Sequence, residues 1–252
     1  MGIRLIVEGI YKAFQNKKVL NGIDADFEQG RVTALLGRNG AGKTTFFSIL
    51  AGELTADSGN AWLEENGERR RLVPEDLFFM VSEPTLPNFL TGREMISFFI
   101  DANRKRLSGD LTPDPFFDQV DFEEEDRDRL IQDYSTGMKN KLQMIMFLIL
   151  RPKVILMDEP LTSLDVVVQL EMRNLIRSIH EAHIIIFSTH ILQLAQDLCD
   201  DVVLLRDGVM QRMDEDIHGE DIEKRIISLL KQDADTEAKD GLPENNSEEG
   251  GA

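Results

Sequence analysis

One short segment restricts the possible folds of this chain more than any other. Residues 32–36 form an apolar run that predicts a β-strand, and the next nine residues read Gly37-Arg38-Asn39-Gly40-Ala41-Gly42-Lys43-Thr44-Thr45. This segment matches the pattern G-x-x-x-x-G-K-S/T, with an additional glycine at Gly40, and the apolar residues that follow it supply the expected helix. The segment therefore predicts a strand, a tight loop and a helix in direct succession.

The residue types of this loop suit the binding of phosphate. Glycines allow the backbone to turn tightly, so that successive N–H groups point towards an anion, and the start of the following helix adds its favourable dipole. We expect Lys43 to carry a positive charge to the β- and γ-phosphates of a nucleoside triphosphate, and the Thr44 hydroxyl to bind Mg²⁺. All nine residues of the loop, through Thr45, are candidates for nucleotide binding.

Short apolar runs alternate with helical patterns along most of the chain. The runs are continuous, as is typical of strands buried on both faces of a sheet. This alternation predicts an α/β domain with a mainly parallel sheet. Besides residues 32–36, the predicted strands cover residues 154–157, 184–187 and 202–205, and predicted helices cover residues 166–181 and 191–198.

The middle of the chain differs, because residues 84–150 contain no strong strand pattern. Helical patterns cover residues 92–106 and 135–150, and an acidic, loop-like stretch at 108–128 separates them. We therefore expect a helical insert at about 84–150 within a domain that spans residues 1–213.

The net charge of −18 comes from 46 acidic and 28 basic residues. Such a charge disfavours nucleic acid as a partner, because binding to a phosphate backbone relies on a basic surface. Residues 110–133 hold ten acidic and two basic residues, and residues 214–252 hold thirteen and four. Within the second segment, Ile and Leu at helical spacing predict a final helix at 214–232, and the polar remainder predicts a disordered acidic tail at 233–252.

The chain shows no sequence pattern of a membrane span or of secretion. Its longest unbroken apolar run, Met144 to Leu150, has seven residues, whereas a membrane-spanning helix needs about 20. The N-terminal residues lack a basic segment followed by an apolar one, and the single cysteine, Cys199, excludes a disulfide within the chain. We expect a cytoplasmic protein.

Two further predicted strands end in residues suited to phosphate chemistry. One leads into Asp158-Glu159, and the other leads into Ser188-Thr189-His190. Ligands bind at the carboxyl ends of parallel strands, so Asp158 is a candidate to hold the metal, directly or through water. Glu159 can orient or activate a water molecule as a general base, and His190 is placed to contact the γ-phosphate and that water.

With these motifs the chain resembles the nucleotide-binding domain of ATP-binding cassette (ABC) transporters over about residues 1–213. Tyr134-Ser135-Thr136-Gly137-Met138 looks like the family signature Leu-Ser-Gly-Gly-Gln, and Ser163-Leu164-Asp165 looks like the family's D-loop. Phe14 matches the aromatic residue that stacks on adenine. The resemblance implies a P-loop NTPase (RecA-like) core, a small antiparallel β part near the N terminus, and a helical subdomain.

The resemblance also implies how ATP and Mg²⁺ are held. In a head-to-tail dimer, the phosphate loop of one subunit and Ser135 and Gly137 of the other enclose each ATP. Phe14 and Asp165 join the nucleotide-binding residues, and Glu159 and His190 become the catalytic ones. The second nucleotide-binding domain is either another copy of this chain or a paralogue.

Two departures from the family pattern affect the expected function. Thr136 and Met138 replace the Gly and Gln of the signature, a variant similar to those of bacterial export systems with a separate permease, including antibiotic and bacteriocin exporters. The Q-loop glutamine is also missing. An ungapped count places it at Ser82, with Glu83 beside it, so Ser82 becomes the third candidate Mg²⁺ ligand after Thr44 and Asp158.

The resulting hypothesis is an ATPase subunit that drives a separate transmembrane permease, in the export direction, from the inner face of the cell membrane. The helical insert around residues 84–105 is the candidate docking surface, with Phe89, Leu90, Phe98 and Phe99 as contacts. Two alternatives stay open. One is a soluble ABC-type ATPase of DNA repair or translation, although such proteins usually also contain coiled-coil arms, zinc modules or a second cassette. The other is an interaction module that is gated by nucleotide and does not hydrolyse it, which would not need the intact Lys43, Asp158, Glu159 and His190.

Overall fold

The computed structural model describes residues 2–162 and 164–213, together with the two single positions 226 and 228. The described residues up to 213 form one compact unit. The predictions of a final helix at 214–232 and of a tail at 233–252 lie outside the described residues, except that Ile226 and Ser228 are helical. Ser163 of the D-loop motif also lies outside them.

A four-stranded antiparallel sheet forms the N-terminal part of the unit. Its strand order is β2-β1-β4-β5. Burial alternates along β1 from Arg4 to Val7, with Leu5 and Val7 buried on one face, as expected for a sheet with one face in the core. The strands are β1 (Arg4–Phe14), β2 (Lys17–Glu28), β4 (Ser58–Glu65) and β5 (Glu68–Arg71).

A six-stranded, mainly parallel sheet forms the centre. Its order is β10-β9-β3-β8-β7-β6, in which only the edge strand β10 runs antiparallel to its neighbour. All five residues of the central strand β3 are buried, which agrees with its unbroken apolar sequence. The strands are β3 (Val32–Leu36), β6 (Leu77–Met80), β7 (Val154–Asp158), β8 (Ile184–Thr189), β9 (Asp201–Arg206) and β10 (Val209–Met213).

The register of the parallel strands brings their carboxyl ends to one edge of the sheet. Leu36 at the end of β3 pairs with Thr189 of β8, and Asp158 at the end of β7 pairs with Ser188 of β8. The chain segments that follow β3, β7 and β8 therefore open to the same side. This edge is where ligands bind in open parallel sheets.

Seven helices are described. Helix α1 follows β3, helices α2 to α5 lie between β6 and β7, and α6 and α7 precede β8 and β9. The Thr91 side chain caps α2 by accepting from the Glu94 N–H, and the Glu94 carboxylate accepts from the Thr91 N–H, which satisfies two donors at the helix start. The bounds are α1 (Lys43–Leu50), α2 (Gly92–Ala102), α3 (Asp114–Gln119), α4 (Glu124–Arg127), α5 (Thr136–Leu150), α6 (Val166–Ile179) and α7 (Leu192–Leu198).

The acidic stretch at 108–128, expected to be a loop, instead contains α3 and α4. Phe117 is fully buried and its ring lies 5.1 Å from that of Phe122. Arg127 is also buried and donates to Asp118 at 2.7 Å and to the Phe122 carbonyl at 2.9 Å. Most acidic side chains of this stretch are therefore exposed, and they surround a small centre formed by Phe117, Phe122 and Arg127. The sequence did not predict these helices because they are too short to show a helical repeat of apolar residues.

Candidate nucleotide-binding site

The glycine loop joins β3 to α1 in a conformation that requires glycine. Gly40 and Gly42 have φ angles of 83° and 106°, in the left-handed region that other residues rarely adopt. A Cβ atom on Gly37 would lie 2.8 Å from the carbonyl oxygen of Leu205. Gly42 caps α1 without a side-chain hydrogen bond, so the first N–H groups of the helix, which lack partners within it, are directed at the loop.

Lys43 lies almost completely inside this loop, with 6% of its surface exposed. Its ammonium group donates to the carbonyl oxygens of Gly37 at 2.8 Å and of Arg38 at 3.2 Å. It also lies 3.4 Å from Oε1 of Glu159. A buried charge is tolerated only when it is paired and hydrogen-bonded, and Lys43 meets both conditions.

Asp158 at the end of β7 is held by two hydroxyl groups. Thr44 Oγ1 donates to Oδ2 of Asp158 at 2.6 Å, and Ser188 Oγ donates to Oδ1 at 2.6 Å. The carboxylate is buried. The phosphate loop and the acidic strand end are thereby directly connected.

Glu159 follows immediately and has three side-chain partners. His190 Nδ1 lies 3.0 Å from both carboxylate oxygens, and Thr162 Oγ1 donates to Oε2 at 2.9 Å. The third is Lys43. Glu159 has a φ angle of 50°, an uncommon backbone conformation for a residue with a side chain, and such conformations cluster at functional sites.

His190 is the one histidine that the sequence singled out, and the structure places it against Glu159. His183, to which the sequence assigns no role, is buried instead at the start of β8, where its Nδ1 contacts the Pro152 carbonyl. Burial lowers the pKa of His183 below its usual value, because the surroundings disfavour the charged ring.

A cleft of about 380 Å³ opens over the loop and the acidic strand end. Phe14 lies at its rim with 45% of its surface exposed, and the Lys12 ammonium group lies 5.4 Å from the Phe14 ring. An exposed ring beside a phosphate loop is suited to stacking on a base. The residues lining the cleft are Phe14, Lys17, Val19, Asn39, Gly40, Gly42, Lys43, Thr44, Thr45, Ser82, Asp158 and Glu159.

Ser82 reaches this cleft because β6 ends just before it. Gln143 of α5 donates to the Val81 carbonyl at 3.0 Å and accepts from the Val81 N–H at 3.1 Å. A buried glutamine thus fixes both backbone groups of the residue before Ser82. Glu83 is exposed and, among the described residues, is not part of the cleft lining.

The signature and D-loop residues lie elsewhere. Ser135 caps α5 by accepting from the Met138 N–H at 3.2 Å, and Asp165 caps α6 by accepting from the N–H groups of Val167 and Val168. Within the described part of the chain, Ser135, Gly137 and Asp165 are absent from the cleft lining. One copy of the chain therefore brings together the loop, Asp158, Glu159, His190, Phe14 and Ser82, and leaves these three apart.

The oxygen ligands at the cleft fit Mg²⁺. Thr44 and Asp158 present a hydroxyl and a carboxylate 2.6 Å apart, and Ser82 lines the same cleft. Mg²⁺ is usually bound through one or two carboxylates together with substrate phosphates, rather than by a cage of protein ligands. Accordingly, no group of three or more His, Cys, Asp or Glu suited to a metal occurs among the described residues.

Two residues that donate hydrogen bonds to the acids of this site received no role from the sequence. Ser188 is the first polar residue after the apolar run of a strand, and a buried hydroxyl group needs a hydrogen-bond partner. This pattern could have indicated a role for Ser188. Thr162 gave no signal, because its contact with Glu159 depends on the turn of residues 159–162.

The strand, glycine loop and helix at residues 32–50, with Asp158 and Glu159 at the same sheet edge, define a P-loop nucleotide-binding domain. A family model described as ABC transporter matches residues 20–162, more than half of the chain. The chain therefore belongs to the ABC transporter family as an ATP-binding subunit, and it is an ATPase of that type.

Individual relatives agree with this assignment. The chain is 30% identical to the ABC transporter ATP-binding protein YdbJ of Bacillus subtilis, over 91% of this chain and 75% of the relative. It is 29% identical to the ribose import ATP-binding protein RbsA of Caldanaerobacter subterraneus, over 95% of this chain and 49% of that protein.

Solved structures show the same fold. An ATP-binding subunit of an ABC transporter aligns with a TM-score of 0.71 at 23% identity, over 92% of this chain and 98% of the other. CbiO1 from Clostridium perfringens aligns with a TM-score of 0.69 at 24% identity, over 90% and 94%. The expected P-loop core with its antiparallel N-terminal sheet is confirmed.

Proposed function

We propose that the cleft hydrolyses ATP with Mg²⁺ and that this reaction drives a separate transmembrane permease. The observation that carries the chemical part is the convergence on Glu159 of Lys43, His190 and Thr162 at 2.9–3.4 Å. A carboxylate so oriented, beside a phosphate loop, is suited to act on a water molecule at the γ-phosphate.

Each residue has a distinct role in this proposal. The loop N–H groups and Lys43 bind the phosphates, Phe14 stacks on the adenine, and Thr44, Asp158 and Ser82 hold Mg²⁺. When bound, Mg²⁺ neutralises charge that develops on the phosphates. Glu159 accepts a proton from the attacking water, and His190 keeps the Glu159 carboxylate in position.

A second nucleotide-binding domain completes the site in this proposal. Ser135 is exposed at the start of α5 and lies outside the cleft lining of its own chain. A helix N terminus with a serine cap is suited to bind an anion supplied by another subunit. Ser135, Gly137 and Asp165 would then contact the ATP of a partner domain, which is either a second copy of this chain or a paralogue.

No helix in the described part of the chain has the length and apolar character needed to cross a membrane. Two observations support the permease as partner. Phe89, just before α2, and Phe98, within α2, expose 78% and 63% of their surfaces. Exposed aromatic residues are enriched at protein interfaces. CbiO1, which has the same fold, is described as part of the ABC transporter complex cbiONQ. The proposed location is the inner face of the cell membrane.

Export is the proposed direction, and it rests on the signature variant with Thr136 and Met138. Relatives named as importers, such as RbsA, are similar to this chain in sequence, so transport itself has to be measured. Inside-out vesicles that contain the complex can be supplied with cell extract and ATP. Compounds that accumulate inside, detected by mass spectrometry, support export, and ATP-dependent loss of preloaded compounds supports import.

Coexpression with a membrane protein encoded beside the gene tests the partnership. We expect the two to copurify from detergent-solubilised membranes and the ATPase rate to change in the complex. Replacement of Phe89 and Phe98 by Ser should weaken copurification, whereas Val209→Ser, an exposed apolar position on β10, is the matched control. Equal ATPase rates and no copurification would instead support a soluble ABC-type ATPase.

A further inference from the structure

One buried hydroxyl group contacts both acidic residues of the site. Ser188 lies at the end of β8 and has 0% of its surface exposed. Its Oγ donates to Oδ1 of Asp158 at 2.6 Å and accepts from the Glu159 N–H at 2.9 Å. A serine hydroxyl has one hydrogen to donate and lone pairs to accept, so both bonds form simultaneously.

The first of these bonds fixes the orientation of the Asp158 carboxylate. Oδ2 of Asp158 accepts from Thr44 and Oδ1 accepts from Ser188, each at 2.6 Å. With a donor on each oxygen, the carboxylate group cannot rotate without breaking a hydrogen bond to a charged group, which is stronger than a bond between neutral groups. Ser188 therefore selects the direction in which Asp158 presents its remaining lone pairs.

The second bond acts on the backbone of Glu159. With a φ angle of 50°, Glu159 adopts a left-handed conformation that is unfavourable for a residue with a side chain. The hydrogen bond from the Glu159 N–H to Ser188 Oγ gives the N–H group of this half-buried residue a partner. That conformation is the one in which the Glu159 side chain meets Lys43 and His190.

We propose that Ser188 is a positioning residue that sets the metal-binding aspartate and the catalytic glutamate together. The inference rests on the roles proposed above for Asp158 and Glu159. A positioning role differs from an ordinary structural role, which would require only that the Ser188 hydroxyl have a hydrogen-bond partner. If Ser188 positions the two acids, its loss should change Mg²⁺ dependence and turnover and leave ATP binding through the loop intact.

One substitution removes the donor, one weakens it and one keeps it. Ser188→Ala deletes the hydroxyl, and Ser188→Cys keeps the volume but offers only a weak donor. Ser188→Thr keeps the hydroxyl, and its β-branched side chain suits a strand. Thr33→Val is the matched control, because Thr33 is a buried hydroxyl residue on the neighbouring strand β3, paired with Ile186 rather than with Ser188.

The measurements use the purified full-length chain. We expect Ser188→Ala and Ser188→Cys to lower kcat, measured at saturating ATP and Mg²⁺, by about 10–100-fold, the usual effect of losing a partner of a metal ligand. In calorimetric titrations, ATP affinity in EDTA should be unchanged, and the gain in affinity on adding Mg²⁺ should shrink. Ser188→Thr should restore most of the turnover.

Three results would overturn the inference. One is a Ser188→Ala protein with wild-type kcat and wild-type Mg²⁺ dependence. Another is a loss of activity in Thr33→Val equal to that in Ser188→Ala. The third is a fall in ATP affinity in EDTA that accompanies the fall in kcat. The second and third results would indicate a general packing defect. Failure of the proposed function is distinguishable, because wild type itself would then hydrolyse no ATP.

Discussion

Thr44 and Asp158 lie 114 positions apart in the chain, yet Thr44 Oγ1 donates a hydrogen bond to Asp158 Oδ2 over 2.6 Å. They meet because β3 and β7 flank β8 in a parallel sheet, so the loop after β3 and the acid that ends β7 open to the same edge. This contact joins the phosphate loop to the acid proposed to bind Mg²⁺.

Replacing Lys43 by alanine should weaken ATP binding. The Lys43 ammonium group is the buried positive charge of the loop, and a hydrogen bond to a charged group contributes about 1.5–3 kcal/mol, which corresponds to roughly 10–100-fold in affinity. Calorimetric titration with ATP measures the change. Lys18→Ala, at an exposed position of β2 outside the cleft lining among the described residues, is the control, and unchanged affinity in Lys43→Ala would contradict the assignment of the loop.

Replacing Glu159 by glutamine should abolish turnover and preserve ATP binding. Glutamine keeps the shape of the side chain but cannot accept a proton from water, and loss of a general base costs about 10²–10⁴-fold in rate. Phosphate release in a single turnover measures the chemical step. Size-exclusion chromatography with ATP tests dimerisation, which should persist or strengthen because the nucleotide is no longer consumed.

A Glu159→Gln protein that hydrolyses ATP at the wild-type rate would show that Glu159 is not the base. Glu181→Gln, at an exposed position before β8, controls for the loss of one negative charge. Its rate should equal that of wild type.

Replacing Thr162 by valine should lower kcat with little effect on KM. The Thr162 hydroxyl donates to Oε2 of Glu159 at 2.9 Å, and its loss leaves the carboxylate with fewer contacts to hold its direction. We expect a decrease of roughly 10–100-fold, from the 1.5–3 kcal/mol typical of a hydrogen bond to a charged group. Thr162→Ser retains the hydroxyl and should recover most of the rate; equal loss in both variants would point to packing instead.

Stability should fall as the pH drops below about 6.5, the usual pKa of histidine, partly because of His183. Burial lowers its pKa in the folded protein, so the unfolded chain takes up a proton at a higher pH than the folded one. The contribution of His183 to the free energy of unfolding is therefore complete above the pKa of His183 in the unfolded chain. It is lost as the pH falls through the pKa of His183 in the folded protein.

Chemical denaturation at a series of pH values between pH 7 and pH 5 measures this effect. His183→Asn keeps a donor near the position of Nδ1, which contacts the Pro152 carbonyl, and it should flatten the dependence of the unfolding free energy on pH. His180→Asn, at a histidine three positions earlier, is the matched control. The same slope in wild type and His183→Asn would contradict the prediction.

Much of the fold was predictable from local pattern. The predicted strand at residues 32–36 is β3 (Val32–Leu36), and the strands predicted at 154–157 and 184–187 begin at the same residues as β7 and β8. Unbroken apolar runs have few other ways to be buried. In contrast, β6 (Leu77–Met80) was missed, because four residues are too few for a pattern and only pairing with β7 makes them a strand.

The amino-acid sequence alone established the phosphate loop, the acids and histidine at strand ends, and therefore the class of chemistry, since each depends on residue type at a short fixed spacing. Which groups touch was decided by the tertiary structure. Thr162 and Ser188 reach the acids only because strand register and one left-handed turn at Glu159 bring hydroxyls within 2.6–2.9 Å. Hydrogen bonds depend on distances of tenths of an ångström, and such distances between residues far apart in the chain are set by packing of the whole sheet.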